Sequence, residues 1–129
     1  MPACSMIILY VQDPKRSLAF YKDILKFPPV EDHPNFAMLP IAEGVMLGLW
    51  AVADVAPSAP TAVFGGELGI TVANRSAVMT VYQDWKSRQV VMIQAPTEMD
   101  FGFTFTATDP DGHRLRVVAM RGENGVIPD

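Results

Sequence analysis

The chain has 129 residues, of which half are hydrophobic and 19% charged, with a formal net charge of −4. That length suits one domain able to bury roughly two-thirds of its unfolded surface, and the composition excludes a disordered chain. The acidic balance offers no footprint for nucleic acid, and the single cysteine, Cys4, excludes an intrachain disulfide and points to a reducing cytoplasm.

Residues 1–5 carry no positively charged segment, and the apolar run Met6 to Val11 is too short for a signal-peptide core or a membrane span. It is expected as a strand. Asp13 then suits a helix N-cap and Pro14 the first helical position. Leu18, Tyr21 and Leu25 recur at helical spacing, Lys15, Arg16, Lys22 and Asp23 supply a wet face, and Pro28-Pro29 stops the helix. Phe36 to Leu39 and Val45 to Trp50 read as strands separated by a turn over residues 40–44.

The same order returns in the second half. Glu67 to Val72 is a strand, Asn74 is a cap, and Val78, Tyr82 and Trp85 form a helical stripe. Val90 to Gln94, residues 101–108 and the segment after residue 113 complete the set of strands. Laying residue 67 on residue 6 brings Val72 onto Val11, Asn74 onto Asp13 and Tyr82 onto Tyr21. Module one therefore spans about residues 5–50 and module two about 67–120, with residues 51–66, rich in Ala and Pro and ending in Gly65-Gly66, as a linker. Residues 121–129 show no periodicity and read as a flexible end or a docking arm. The expected fold class is α+β, with two βαβββ modules forming a curved mixed-sheet cup and helices on its outer face.

Strand alternation sorts the side chains. Ile7, Leu9 and Val11 go under the first helix, leaving Met6, Ile8 and Tyr10 toward the cup, and Leu68, Ile70 and Val72 leave Glu67, Gly69 and Thr71 inside. Met46, Gly48 and Trp50 point inward in module one, and Arg114, Arg116 and Val118 in module two. Phe101, Phe103 and Phe105 alternate, which places three rings on one face, either of the cup or of the core. Gly48 leaves room for a flat ring against its strand, and methionine, tyrosine and tryptophan around it offer adaptable and planar contact surfaces.

Asp109-Pro110-Asp111-Gly112, between Thr104-Phe105-Thr106-Ala107-Thr108 and Arg114-Leu115-Arg116-Val117-Val118, suits a type I turn joining two strands. This stretch, with Tyr10-Val11-Gln12-Asp13 and Ser17-Leu18-Ala19-Phe20-Tyr21 near the start, resembles the vicinal-oxygen-chelate superfamily of glyoxalases, extradiol dioxygenases and bleomycin-type resistance proteins. The resemblance covers nearly the whole chain. It implies four metal-ligand positions, which map onto Met6, Gly48, Glu67 and Arg116. A catalytic divalent ion needs about three donors drawn from His, Asp, Glu or Cys, and only Glu67 qualifies. His33 and His113 lie in a loop and a turn, away from ligand spacing. No nucleophile elbow or glycine-rich phosphate loop is present either, so no catalytic residue and no cofactor are expected.

Met46-Leu47-Gly48-Leu49-Trp50, Phe101-Gly102-Phe103-Thr104-Phe105 and the Asp-Pro-Asp-Gly hairpin together look like the phenazine-antibiotic resistance branch. That likeness implies a metal-free homodimer that stacks a planar aromatic molecule on Trp50, with Arg116 in the lost ligand position. Phe103 departs from the more polar residue expected between the glycine and the threonine. The ligand-binding set is Trp50, Gly48, Met46, Tyr10, Met6, Glu67, Arg116, Phe101 and Phe103, with no nucleic-acid or membrane partner. A glyoxalase- or dioxygenase-like enzyme is the alternative, and the missing ligands favour the binding protein.

Overall fold

The computed structural model describes residues 4–58 and 67–129, and the chain divides into two units, Met1–Val63 and Phe64–Asp129. The first unit contains β1 (Met6–Val11), α1 (Pro14–Leu25), β2 (Glu31–Asp32), β3 (Phe36–Ala42) and β4 (Val45–Ala51), followed by one 3-10 turn over Val52–Asp54. The second contains β5 (Glu67–Thr71), α2 (Arg75–Ser87), β6 (Val91–Met99), β7 (Gly102–Thr108) and β8 (Arg114–Met120). Each unit builds one four-stranded mixed sheet, in the order β1-β4-β3-β2 or β5-β8-β7-β6. The first strand of each unit pairs parallel with its last, and the other pairings are antiparallel. The α+β class and the repeated order of elements hold. Of the linker expected over residues 51–66, Ala51 ends β4, and residues 59–66 lie outside the described residues.

The caps set both helices. Asp13 is extended, and its carboxylate accepts from the backbone N–H groups of Lys15 and Arg16, while Pro14 occupies the first turn. Lys26, in a left-handed conformation at φ 65°, ends α1 before Pro28-Pro29 is reached. Asn74 accepts from the N–H of Ala77 at 2.8 Å and starts α2. Among the described residues no helix is long and apolar enough to cross a membrane.

In each unit the helix covers one face of the sheet. Leu18, Tyr21 and Ile24 of α1 are buried together with Val11, Ala37, Leu39, Leu47 and Leu49. In the second unit Phe105 is buried beneath α2, with Trp85 and Tyr82 edge-on to its ring at 5.6 and 5.3 Å. The parallel registers correspond: Met6 lies opposite Met46 and Ile8 opposite Gly48, as Glu67 lies opposite Arg114 and Gly69 opposite Arg116. The matched pairs Met6/Gly48 and Glu67/Arg116 are therefore equivalent diagonal neighbours in two copies of one sheet.

Four elements differ from the sequence expectation: the short β2 was not anticipated, β6 runs on to Met99 instead of ending at Gln94, and β3 and the C-terminal segment depart as follows. β3 continues through Pro40 to Ala42 because a register shift at Pro40/Ala42 absorbs the proline, and the turn shrinks to Glu43-Gly44, with Gly44 at φ 77°. Residues 121–129 are neither free nor a remote arm. Ile127 is buried, Arg121 donates to the carbonyls of Met99, Asp100 and Gly125, and the carbonyl of Pro128 accepts from the N–H of Arg75.

Candidate functional site

In the first unit, the sheet face away from α1 carries the expected apolar set. Met6, Ile8 and Tyr10 are exposed on β1, and Met46 and Trp50 are half-buried on β4. Tyr10 and Trp50 are register partners, with rings edge-to-face and centroids 6.4 Å apart. Gly48 departs from expectation. A Cβ built there would stand 3.1 Å from Phe36 Cζ and 3.3 Å from Ile8 Cγ1, so the ring lying over this glycine is the chain's own Phe36. Any flat ligand on this face meets Trp50 and Tyr10 beside Phe36, and the glycine itself is covered.

The second unit answers with polar groups. Arg116 projects from β8 and donates from Nε to Glu67 Oε1 at 2.6 Å and from Nη2 to Glu67 Oε2 at 3.4 Å. Its Nη1 reaches Gln94 Oε1 and Thr104 Oγ1, each at 3.3 Å. Phe101 closes this cage with its ring centroid 5.6 Å from the guanidinium carbon. Thr106 donates to Gln94 Oε1 at 3.0 Å, and buried Thr104 donates to the Val117 carbonyl at 2.8 Å. Side-chain exposure is 18% for Arg116 and 35% for Glu67, so the pair is only partly desolvated.

The three phenylalanines do not share a face. Phe105 faces α2, and the Phe103 ring lies 5.0 Å from the guanidinium carbon of Arg75, on that helix. Phe101 instead packs under Arg116. It precedes the first residue of β7, so the strict alternation that carries Phe103 and Phe105 does not extend to it. The expectation of three aligned rings is corrected accordingly, and Phe103 stands apart from the Arg116 cage.

Gln94, Thr104, Thr106 and Phe36 were not among the expected site residues. Thr104 and Thr106 follow from alternation on β7 once Phe105 is known to face the helix. Gln94 is hidden by register shifts on both sides of it, between Met92 and Gln94 and between Gln94 and Thr97.

The family model of the Glyoxalase/Bleomycin resistance protein/Dioxygenase superfamily matches residues 4–117. The chain belongs to that superfamily. The phenazine antibiotic resistance protein EhpR of Enterobacter agglomerans is 33% identical to it over 116 residues, covering 88% of each chain. A protein from Agrobacterium tumefaciens, solved by NMR in solution, is 45% identical, with a TM-score of 0.84 over 95% of this chain and 100% of that one. A glyoxalase/bleomycin resistance protein/dioxygenase from Nocardioides matches at 19% identity and a TM-score of 0.80, covering all of this chain and 89% of its own, which bears on the fold alone.

The metal used by some members of this superfamily does not suit the residues present. The four matched positions hold a thioether, a glycine, one carboxylate and a guanidinium, and both oxygens of that carboxylate already accept from Arg116. A guanidinium cannot deprotonate to coordinate an ion. Among the described residues no three of His, Cys, Asp and Glu gather elsewhere.

The hairpin after β7 is held by Asp109. Its Oδ1 accepts from the N–H groups of Asp111 and His113, and its carbonyl accepts from the N–H of Gly112 at 3.0 Å, giving the expected turn with Gly112 at φ 88°. Asp109 Oδ2 lies 2.8 Å from His113 Nδ1. The hydrogen bond to Asp109 raises the His113 pKa above 6.5, against an opposing push from desolvation.

Proposed function

We propose that this chain is a metal-independent binding protein that sequesters a planar aromatic small molecule, of the kind an antibiotic resistance protein captures, and that it works as a homodimer in the cytoplasm. The observation that carries this reading is the Glu67–Arg116 pair: the one carboxylate at the matched ligand positions is committed to a guanidinium. The exposed Met6, Ile8 and Tyr10 beside half-buried Trp50 supply a planar, adaptable apolar surface for an aromatic ring. The likeness to EhpR, whose name records phenazine antibiotic resistance, supports the same class of ligand. The adjacent exposed apolar side chains Met6, Ile8 and Tyr10 also favour burial against a second copy.

A fluorescence titration with a panel of planar aromatic compounds, run with and without divalent metal, tests the reading. Saturable quenching that is indifferent to metal supports it. Turnover of a small organic substrate that requires added metal would replace it with an enzyme of the glyoxalase or dioxygenase type.

A further inference from the structure

Met99 and Gly102 close β6 onto β7 as register partners, which leaves Asp100 and Phe101 as the loop of that hairpin. Two side chains at this bend reach Arg116: the Phe101 ring centroid lies 5.6 Å from its guanidinium carbon, and Met99 Sδ stands 4.0 Å from its Nη1. A hairpin loop at the end of an edge strand is ordinarily among the first places where a sheet opens. We propose that Arg121, on the opposite side of the sheet from Arg116, is a positioning residue that clasps this loop from behind and so keeps Phe101 and Met99 against the Arg116 guanidinium.

The argument begins with register. Gly102 pairs with Met120, and the N–H of Arg121 continues that ladder by donating to the Phe101 carbonyl at 2.8 Å. Alternation along β8 sends Arg114 and Arg116 to one side and the buried Leu115, Val117 and Ala119 to the helix side, which Arg121 shares. From there its guanidinium takes three carbonyls. Nε donates to Asp100 at 3.1 Å, Nη2 to Met99 at 3.2 Å and Nη1 to Gly125 at 2.9 Å. Arg121 therefore holds every carbonyl from Met99 to Phe101.

The clasp has a fixed footing. Gly125 sits at φ 78°, its N–H donates to the Gly122 carbonyl, and the N–H of Gly122 donates to the Val126 carbonyl. Docking the tail would take only the bond to Gly125, whereas Nε and Nη2 turn to the β6–β7 bend. A planar guanidinium spans several carbonyls at set angles, which a flexible ammonium does not reproduce. Glu98 Oε2, 3.7 Å from Nη2, balances the charge, and Glu98 is itself paired with Arg75. This role deepens the proposed function and rests on it only for the effect on binding.

The test follows the Arg116 side-chain Nε–H signal by NMR in the full chain without ligand. Phe101→Leu defines the shift that the ring imposes. Arg121→Gln should move the signal in the same direction by at least half as much, and should add little in the Phe101→Leu background. Arg121→Lys should move it less, and carries the comparison if the glutamine variant does not fold. Arg75→Gln, which cuts the other ion pair of Glu98, should leave the signal in place. Phenazine, as a planar aromatic probe, should bind the Arg121→Gln protein about threefold or more weakly than the parent. An unmoved signal in both Arg121 variants, fully additive shifts in the double variant, an equal shift in Arg75→Gln, or parental phenazine affinity in Arg121→Gln would each overturn the proposal. A parent that binds no planar aromatic compound would count against the proposed function alone, and the Arg116 signal would still decide the clasp.

Discussion

Glu67 and Arg116, 49 residues apart in sequence, meet side by side through two hydrogen bonds on strands β5 and β8. Removing one partner leaves the other charge partly desolvated. Glu67→Gln is therefore expected to destabilise the protein by about 1–3 kcal/mol, the scale of hydrogen bonds to charged groups. The Glu67→Gln, Arg116→Leu double variant should recover part of that loss, as an apolar replacement of a desolvated pair often does. Thermal denaturation of the parent, Glu67→Gln, Arg116→Leu and the double variant checks this, and strictly additive losses would show that the two residues do not couple.

Elemental analysis of the purified protein should find no stoichiometric divalent metal. The expectation rests on donor chemistry, since Met6, Gly48 and Arg116 supply no oxygen or nitrogen ligand. One zinc, iron, nickel or manganese per chain, lost in Glu67→Gln, would be the contrary result.

Trp50→Ala should weaken binding of planar aromatic compounds by about tenfold or more, since stacking contributes ~0.5–1.5 kcal/mol beyond the buried ring area. Trp85 is buried against Phe105 and serves as an unresponsive background in the fluorescence signal. Unchanged affinity in the variant would move the site away from this tryptophan.

Gly102 is fixed by its neighbour. A Cβ there would collide with the backbone carbonyl of Ala119 on the paired strand, which cannot swing aside as a side chain can. Gly102→Ala should cost about 1–3 kcal/mol in chemical denaturation. Gly69→Ala, where a Cβ meets nothing within 4 Å, is the matched control and should be close to neutral.

His113 gives stability a pH dependence of defined sign. Its folded pKa is raised by the hydrogen bond to Asp109, so the folded protein binds more protons than the unfolded chain in the window above 6.5. The stabilisation is fully present below 6.5 and is lost as pH rises through the folded value. Denaturation midpoints taken across that window should fall for the parent, and His113→Gln should flatten that part of the profile.

Sequence sufficed wherever the signal was local. Asp13 with Pro14, Asn74, and Asp109 with Gly112 each act within four residues, and each performs the role its chemistry suggests. The paired charges were also legible, because alternation on β5 and β8 aims Glu67 and Arg116 to one side of their sheet. What escaped depends on contacts across strands. Nothing near Gly48 announces that Phe36, from β3, will lie over it. The short β2 offers only Glu31 and Asp32, too few residues for a periodic signal, and exists only through its pairing with Ala37 and Met38 of β3. Gln94 enters its site only through two register shifts that no alternation rule anticipates.

The docked tail makes the last residues a clock for local opening. Ile127 is buried and the Pro128 carbonyl finishes the first turn of α2, so a carboxypeptidase can advance past Asp129 only when that end lets go. Where reclosing outpaces cleavage, the digestion rate reports the population of the opened state. Mass spectrometry of the trimmed ends would thus time the fraying of the second unit with no label attached to the protein.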